Sequence, residues 1–496
     1  MTFHAPRYGA RLLQLLGLAS ALACAAGSSM DGESVPASAP PGTVTTPPQG
    51  AGPGSTSPAA AAPPGGTVGS AAAPAPGGTV TPPQQATALT TQGAAIVDAA
   101  GKEVILHGFS WFGFNNQQTM VDGLYTGGAM GGDFATVVLR MRSLGFNAVR
   151  LPFSFADLAN LPPRPLTQPC TLPSLAQVAA SLVPAGSAPP AIIALPAPPS
   201  RTAGMCNDYL PQDSTRHRFI WTVQFFAHNG FYVLIDNHMR EDPTVLTAGA
   251  VSWTKAWAQL VSDLVKGDPL TQKHLMVDVL NEPDSRGIKW AASGSLPGLA
   301  DLYLGAMDAI NAASPVLFFV EGTGQGSLNA NWGDGFDTNP SDLKSLALSD
   351  PSAFFIALEK RPYARRLVIS PHVYGPAVTT NMMAASGAPL VDRMTRSFGY
   401  LTKAGFCGGG GACSTYPIAI GEFGSTFTAA ADLAELATFS AYLQNTGAGA
   451  DGQHAAIHNW FYWSLNPDSG DTGGLVGNDW VTLNFTKLTY LRQLGL

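Results

Sequence analysis

Short apolar runs, many of them closing on an acid, an amide or an imidazole, recur from residue 89 to the end of the chain. Met276–Leu280 runs into Asn281-Glu282-Pro283, and the run from Pro417 reaches Gly421-Glu422-Phe423-Gly424. Runs of the same kind span Asn147–Leu151, Tyr232–Asp236, Val316–Glu321, Leu367–His372 and His458–Trp463. They are apolar throughout rather than alternating, as expected of strands covered on both faces. Amphipathic stretches separate them, among them Phe134–Leu144, Phe219–His228, Val251–Val265 and Ala300–Ala312. This alternation predicts an α/β fold, a (β/α)8 TIM barrel over residues 89–496. Ala95–Asp98 and Val104–Gly108 predict an N-terminal β-hairpin leading into the first barrel strand.

Two stretches interrupt the repeat. Residues 156–212 are Pro/Ala-rich and far longer than an ordinary strand-to-helix loop. Residues 329–360 follow the fifth strand and carry Trp332, Asp334 and Asp337. Both leave the carboxyl ends of strands, so both are expected to build cleft walls.

Upstream the pattern disappears. From Ser34 to Ala88 the chain is Pro, Ala, Gly, Thr and Ser without a charged residue, and Gly-Thr-Val recurs at 42, 66 and 78. Such a segment cannot bury enough apolar surface to offset its ordering entropy, so residues 25–88 read as a disordered tether. Residues 1–24 read as an export signal, with Arg7 and Arg11 ahead of the apolar run Leu12–Ala23. That run is too short to span a bilayer. It ends in Ala21-Leu22-Ala23-Cys24, which resembles a lipoprotein cleavage box with Ala21 where Leu is expected. Lipid anchoring at Cys24 and ordinary signal cleavage both stay open. The reading is a secreted or surface-held protein, acting as a monomer.

Setting Cys24 aside leaves Cys170, Cys206, Cys407 and Cys413. An even number in an exported chain suggests disulfides, and the local pairings Cys170–Cys206 and Cys407–Cys413 are favoured. No histidine stands at ligand spacing from these cysteines, so no metal site is expected. A net charge of −7 and the lack of any Arg/Lys-rich run argue against nucleic acid as a partner.

In a parallel barrel the strand ends converge on one rim, and chemistry is read there. The strand-end residues are His107 and Trp111, Arg150, His238, Asn281 and Glu282, His372 and Tyr374, Glu422, and Trp463. Two strand-end carboxyls able to meet across a barrel mouth suggest glycoside hydrolysis. An arginine inside a barrel is costly without an anionic partner, which places Arg150 beside a carboxylate. Trp111, Trp332 and Trp480 are candidate sugar platforms, because pyranose faces stack on indoles. Trp257 fits a helix face packed on the barrel and reads as core.

The motifs then carry a resemblance. They are Gly108-Phe109-Ser110-Trp111-Phe112-Gly113, Asn147-Ala148-Val149-Arg150-Leu151-Pro152, Asn281-Glu282-Pro283, His372-Val373-Tyr374, Gly421-Glu422-Phe423-Gly424, and the long run from Trp463 to Gly474. Together they resemble glycoside hydrolase family 5 of clan A, most of all its bacterial cellulases (endo-β-1,4-glucanases). The resemblance implies a retaining enzyme without a cofactor, acting on a β-glucan polysaccharide. Glu282 would be the acid/base, held protonated by the charge of Glu422, the nucleophile. Arg150 would stabilise the anionic form of Glu422, Tyr374 would hydrogen-bond to it, and Asn281 would grip the sugar 2-hydroxyl. His372 and His238 would orient the carboxyls or the sugar, and Trp463 would be the platform at the bond cleaved. Ser110 departs from the Asn common in relatives, and the insertion at 156–212 is not the usual one. Another family 5 activity, such as a β-mannanase or another β-glucanase, is the nearest rival. A binding module descended from a dead enzyme would lack Glu282, Glu422 or Arg150, and all are present.

Overall fold

The computed structural model describes residues 89–125, 128–239, 244–328, 332–379, 386–408 and 412–496, without side chains for 244–251. The expected export signal, Cys24 and the tether lie outside these residues. In chain order the strands are β1 (Thr90–Gln92), β2 (Ala95–Val97), β3 (His107–Ser110), β4 (Ala148–Phe153), β5 (Gln168–Pro169), β6 (Met205–Cys206), β7 (Tyr232–Asn237), β8 (Leu275–Asp278), β9 (Leu317–Val320), β10 (Leu367–Ile369), β11 (Ala419–Phe423) and β12 (Asn459–Tyr462).

Eight of them form one parallel sheet in the order β10-β9-β8-β7-β4-β3-β12-β11. Bridges Ile369↔Ile418 and His372↔Glu422 close the remaining seam, giving the (β/α)8 barrel. The alternation of side chains along a strand divides two apolar layers. Ala148, Leu234, Met276, Phe319, Val368, Ala419 and Phe461 point inward and form a plug with Leu89, Ile96 and Leu106. Val149, Leu151, Val233, Ile235, Val277, Phe318, Val320 and Ile369 belong to the larger core that the helices cover.

The helix Phe134–Leu144 shows why the helical boundaries were readable. Asp133 caps its start by accepting from Thr136 N, and Gly145 ends it in the left-handed region at φ 107°. Among the described residues no helix is long and apolar enough to cross a membrane.

The hairpin and the long insertion differ from expectation. β1 pairs antiparallel with β2, not β2 with the first barrel strand. Gly93, at φ 59°, makes that turn possible. The expected second arm pairs only at its start, where Glu103 bridges to Val97 and Val104 N donates to Ile96 O at 2.9 Å, and β3 begins at His107 instead of ending near it.

Most of residues 156–212 runs away from the cleft rim. Arg164 contacts Thr119 and Gln118 near the rim. The chain then descends the outside of the barrel. Ile193 N donates to Ser143 Oγ, and Ala197 pairs with Asn229, both at helix C-terminal ends far from the rim. It returns to bury Asn207 against the start of the helix at Phe134. A disulfide, Cys170–Cys206, closes this excursion with Cα atoms 5.7 Å apart, and Cys407 is bonded to Cys413.

Candidate active site

One step above the apolar plug the inward positions become charged. Arg150 on β4, Asp236 on β7 and Asp278 on β8 are two residues beyond Ala148, Leu234 and Met276, so they share the inward face. Arg150 is fully buried and works as the hub. It donates to Glu422 Oε1 and, at 2.7 Å, to Asn281 Oδ1. It lies 3.1 Å from Asp236, 3.4 Å from Asp278 and 3.6 Å from Glu321. Burial works against the guanidinium's charge. Asp236, Glu422, Asp278 and Glu321 outweigh burial and raise the Arg150 pKa well above its ordinary value. Burial, then Glu321 and Asp236, push the Asp278 carboxyl well up.

Glu422 is the next-to-last residue of β11, beside the seam. Its second oxygen accepts from Tyr374 Oη at 2.7 Å, so both oxygens are addressed by donors. The bridge His372↔Glu422 sets these two residues side by side, with His372 Nδ1 3.7 Å from Glu422 Oε2. Trp332 lies at the same rim, its ring edge-on to Tyr374 at 5.9 Å, and its carbonyl accepts from His372 N at 3.2 Å.

Glu282 follows β8 in a left-handed conformation, φ 43° and ψ 62°. Its backbone N–H donates to Glu321 Oε2 at 2.8 Å, and its Oε1 is 3.0 Å from His372 Nδ1. Its side chain is 19 % exposed and opens to the mouth, whereas those of His372 and Glu321 are 0 % exposed. Burial raises the Glu282 pKa, but its hydrogen bond to His372, the charge of His372, then His238 and Arg150 bring it below the ordinary value. That direction is opposite to the effect expected from Glu422 alone, because the imidazole stands between the two carboxyls. The loop continues into Asp284, which accepts from Thr323 Oγ1, Gly324 N and Gly333 N at 3.0, 2.7 and 3.0 Å.

On the opposite side His238 pairs with Asp236 at 3.0 Å and approaches Asn281 Nδ2 at 3.4 Å. Its ring is nearly parallel to Trp463 at 5.6 Å, and Phe112 is nearly parallel to the same indole at 5.4 Å. Trp463 Nε1 donates to Ser469 Oγ at 3.0 Å. The loop carrying Ser469 is pinned from behind by buried Lys487, whose Nζ donates to Thr472 O and Gly473 O at 2.7 and 2.9 Å.

Three aromatic or imidazole candidates fall elsewhere. Trp111 is 1 % exposed, stacks on Phe134 and donates to Asp122 O, so it is core and not a platform. Trp480 is buried against Gly123. His107 begins β3, stacks on Trp460 and sits beside Gly495 at the opposite end of the barrel; burial and His458 lower its pKa to about 4. The strand boundary was placed too early, and a few residues along a strand separate one barrel end from the other.

Glu321 and Lys487 were missed. Glu321 carries the same signal as Glu422, an apolar run ending in an acid beside glycine. Lys487 lies in a helix, where the sequence offers nothing to distinguish it from a surface lysine.

Among the described residues, Glu282, His372 and Glu422 form the group able to gather on a metal ion, with one ligand atom each within 4.8 Å of the others. The hydrogen bonds of Glu282 with His372, and of Glu422 with Arg150 and Tyr374, already engage this group. The arrangement is suited to proton transfer and nucleophilic attack. Two carboxyls face one opening, one held by an imidazole and the other by a guanidinium and a phenol.

The family model described as Cellulase (glycosyl hydrolase family 5) matches residues 192–469. That span includes Glu282, His372, Glu422 and Trp463 and begins after Arg150. The chain is 28 % identical over 411 residues to the major extracellular endoglucanase of Xanthomonas campestris pv. campestris, covering 80 % of this chain and 69 % of that protein. It is 25 % identical over 420 residues to an endoglucanase of Paenibacillus polymyxa, covering 82 % and 86 %. Among solved structures, the hyperthermophilic endocellulase of the archaeon Pyrococcus horikoshii shares the fold at a TM-score of 0.56 and 22 % identity, over 84 % of this chain and 100 % of that one. The catalytic domain of the Xanthomonas enzyme does so at 0.53 and 23 %, over 82 % and 99 %.

Proposed function

The chain belongs to glycosyl hydrolase family 5, and on that premise we propose that it is an exported, retaining endo-β-1,4-glucanase. The observation that carries the reading is the separation of the two carboxyls. Oxygens of Glu282 and Glu422 lie within 4.8 Å, which suits double displacement, where the carboxyls are about 5–5.5 Å apart. An inverting pair needs roughly 6.5–9.5 Å to admit a water between carboxyl and sugar. The names of the relatives support a β-glucan as substrate.

In this reading a glucosyl unit rests on Trp463. Glu422, held by Arg150 and Tyr374, attacks the anomeric carbon while Glu282 gives a proton to the departing oxygen. Asn281 addresses the 2-hydroxyl, His238 and His372 orient the reacting groups, and Trp332 flanks the opening. Water, deprotonated by Glu282, then releases the sugar from Glu422. The chemistry uses these groups alone, without a metal or organic cofactor. Residues 1–24 act as the export signal, 25–88 as the tether and 89–496 as the catalytic barrel, working as a monomer.

The test is viscosity loss and reducing-end release from carboxymethyl cellulose, barley β-glucan and β-mannan, with and without EDTA. The glucans should be cut with EDTA present, and Glu422→Gln should lose about 10³-fold or more, the scale for removing a covalent nucleophile. Mannan-only cleavage would move the substrate, and near-normal turnover by Glu422→Gln would overturn the mechanism. Assaying washed cells and culture fluid with Cys24→Ala decides the anchor: unchanged cell association would rule out a lipid at Cys24.

A further inference from the structure

Glu321 has no place in the mechanism so far, yet it touches both parts of the acid/base. Tyr303 Oη fixes its backbone, donating to Glu321 O at 2.9 Å and accepting from Glu321 N at 3.1 Å. Glu321 Oε2 accepts from the Glu282 backbone N–H at 2.8 Å. Glu282 is left-handed there, a conformation unfavourable for a non-glycine residue that persists only when its surroundings hold it. Glu321 Oε1 lies 3.2 Å from His372 Nε2, while His372 Nδ1 lies 3.0 Å from Glu282 Oε1. Carboxyl oxygens thus lie beside both nitrogens of one buried ring: the Glu282 contact is a hydrogen bond, and the Glu321 contact is a close ion-pair approach without hydrogen-bond alignment. Gly333 keeps the space open, since a Cβ at that position would stand 2.5 Å from Glu321 Oε2.

We propose that Glu321 is a positioning residue for the acid/base, tying the Glu282 backbone with one oxygen and setting its charge against the Nε2 side of His372 with the other. His372 Nδ1 is thereby left to exchange a proton with Glu282. The inference rests on Glu282 being the acid/base. Before glycosylation the Nδ1 proton passes to Glu282, and the ring becomes neutral, keeping its Nε2–H on the side of Glu321. Glu422 then bonds to the anomeric carbon, the bond to the leaving oxygen breaks with its electron pair on that oxygen, and the oxygen takes the Glu282 proton. In the second half a water oxygen bonds to the carbon and its proton returns to Glu282. The bond to Glu422 breaks and restores the carboxylate. Burial opposes a charge on His372, but Glu321 and Glu422 outweigh it and raise its pKa well above the usual value. Once Glu422 is esterified, Glu321 is the anion left beside the ring's far nitrogen.

Glu321→Gln keeps the size and the acceptor for Glu282 N–H but removes the charge. Loss of a neighbouring anion weakens proton binding by the Glu282–His372 unit as a whole. The alkaline limb of kcat/KM should therefore move to lower pH by about one unit. On cellooligosaccharides kcat should fall about 10–100-fold, a fraction of what general acid catalysis supplies, with KM little changed. On dinitrophenyl β-cellobioside, whose leaving group needs no proton, the loss should nearly vanish. Glu321→Asp keeps the charge and should keep the limb while losing turnover. An unmoved limb in Glu321→Gln, or an equal loss on both substrates, would overturn the proposal. If that variant does not fold, a limb displaced in Glu321→Asp would do the same. Wild-type protein inactive on every glucan, or Glu282→Ala near full activity on cellooligosaccharides, would strike the functional reading instead.

Discussion

The loops after β4 and β9 leave the same rim, and their fates differ. The loop after β9 stays at the mouth. Gly322 N donates to Gly333 O at 2.7 Å, Thr323 N donates to Gly335 O, and Asp284 collects donors from both limbs. Glycines allow that approach: a Cβ on Gly322 would stand 2.6 Å from the Gly335 backbone. The insertion after β4 is rich in proline, which gives it fewer backbone donors. Beside the buried Asn207, its anchors are apolar side chains, among them Leu166, Val178, Leu182 and Leu210, and Leu166, Leu182 and Leu210 pack into the main core on the barrel's outer side. Leaving a strand at the catalytic end does not make a loop catalytic. What decides is whether its backbone or its apolar side chains find partners first.

Three perturbations sharpen that contrast. The largest effect is expected from Gly333→Ala. It introduces a Cβ at φ 82° and pushes on the carboxyl of Glu321. A displacement of about 1 Å near reacting groups costs on the order of 10²-fold in rate, so kcat on cellooligosaccharides should fall by about that factor. An active Gly333→Ala enzyme would mean that the β9 loop merely borders the site.

Replacing Cys170 and Cys206 together by serine should act on stability alone. The bond closes a loop with a sequence separation of 36, and its loss should lower unfolding free energy by about 2 kcal/mol. Activity per folded molecule should be unchanged at temperatures below the transition. A changed KM would bring the insertion back to the cleft.

The last effect concerns pH. The Asp284 carboxyl is pushed up to about 6, chiefly by burial and against three hydrogen bonds. With the folded pKa above the unfolded one, the native state binds the proton more tightly. Stability should then fall as pH rises from about 4 to 6. Asp284→Asn should flatten that part of the curve by about 2 kcal/mol, measured from urea midpoints at the two pH values. An unchanged slope would show that this clamp carries no proton linkage.

The barrel was legible because its evidence is local. Apolar runs covered on both faces, helix caps such as Asp133 and the left-handed Gly145 declare themselves within a few residues. Strand-end Glu282 and Glu422 were visible for the same reason: an acid that ends a buried run breaks the apolar pattern. Glu321 has that signature too, and was passed over because nothing nearby in sequence says what it will touch.

By itself, then, the sequence determined the α/β repeat, the rim to which acids and aromatics are delivered, and the cysteine pairs that lie close along the chain. Tertiary structure decided which of those groups meet. Arg150 reaches Glu422 and Asn281, and His372 stands between Glu282 and Glu321, through contacts between strands distant in sequence, and the β10–β11 seam sets His372 beside Glu422. Strand register puts His107 at the far end, and packing on Phe134 puts Trp111 in the core. The physical reason is the strand itself. Its two-residue period fixes the face a side chain takes, whereas depth along the barrel depends on strand register, which is set by partners distant in sequence.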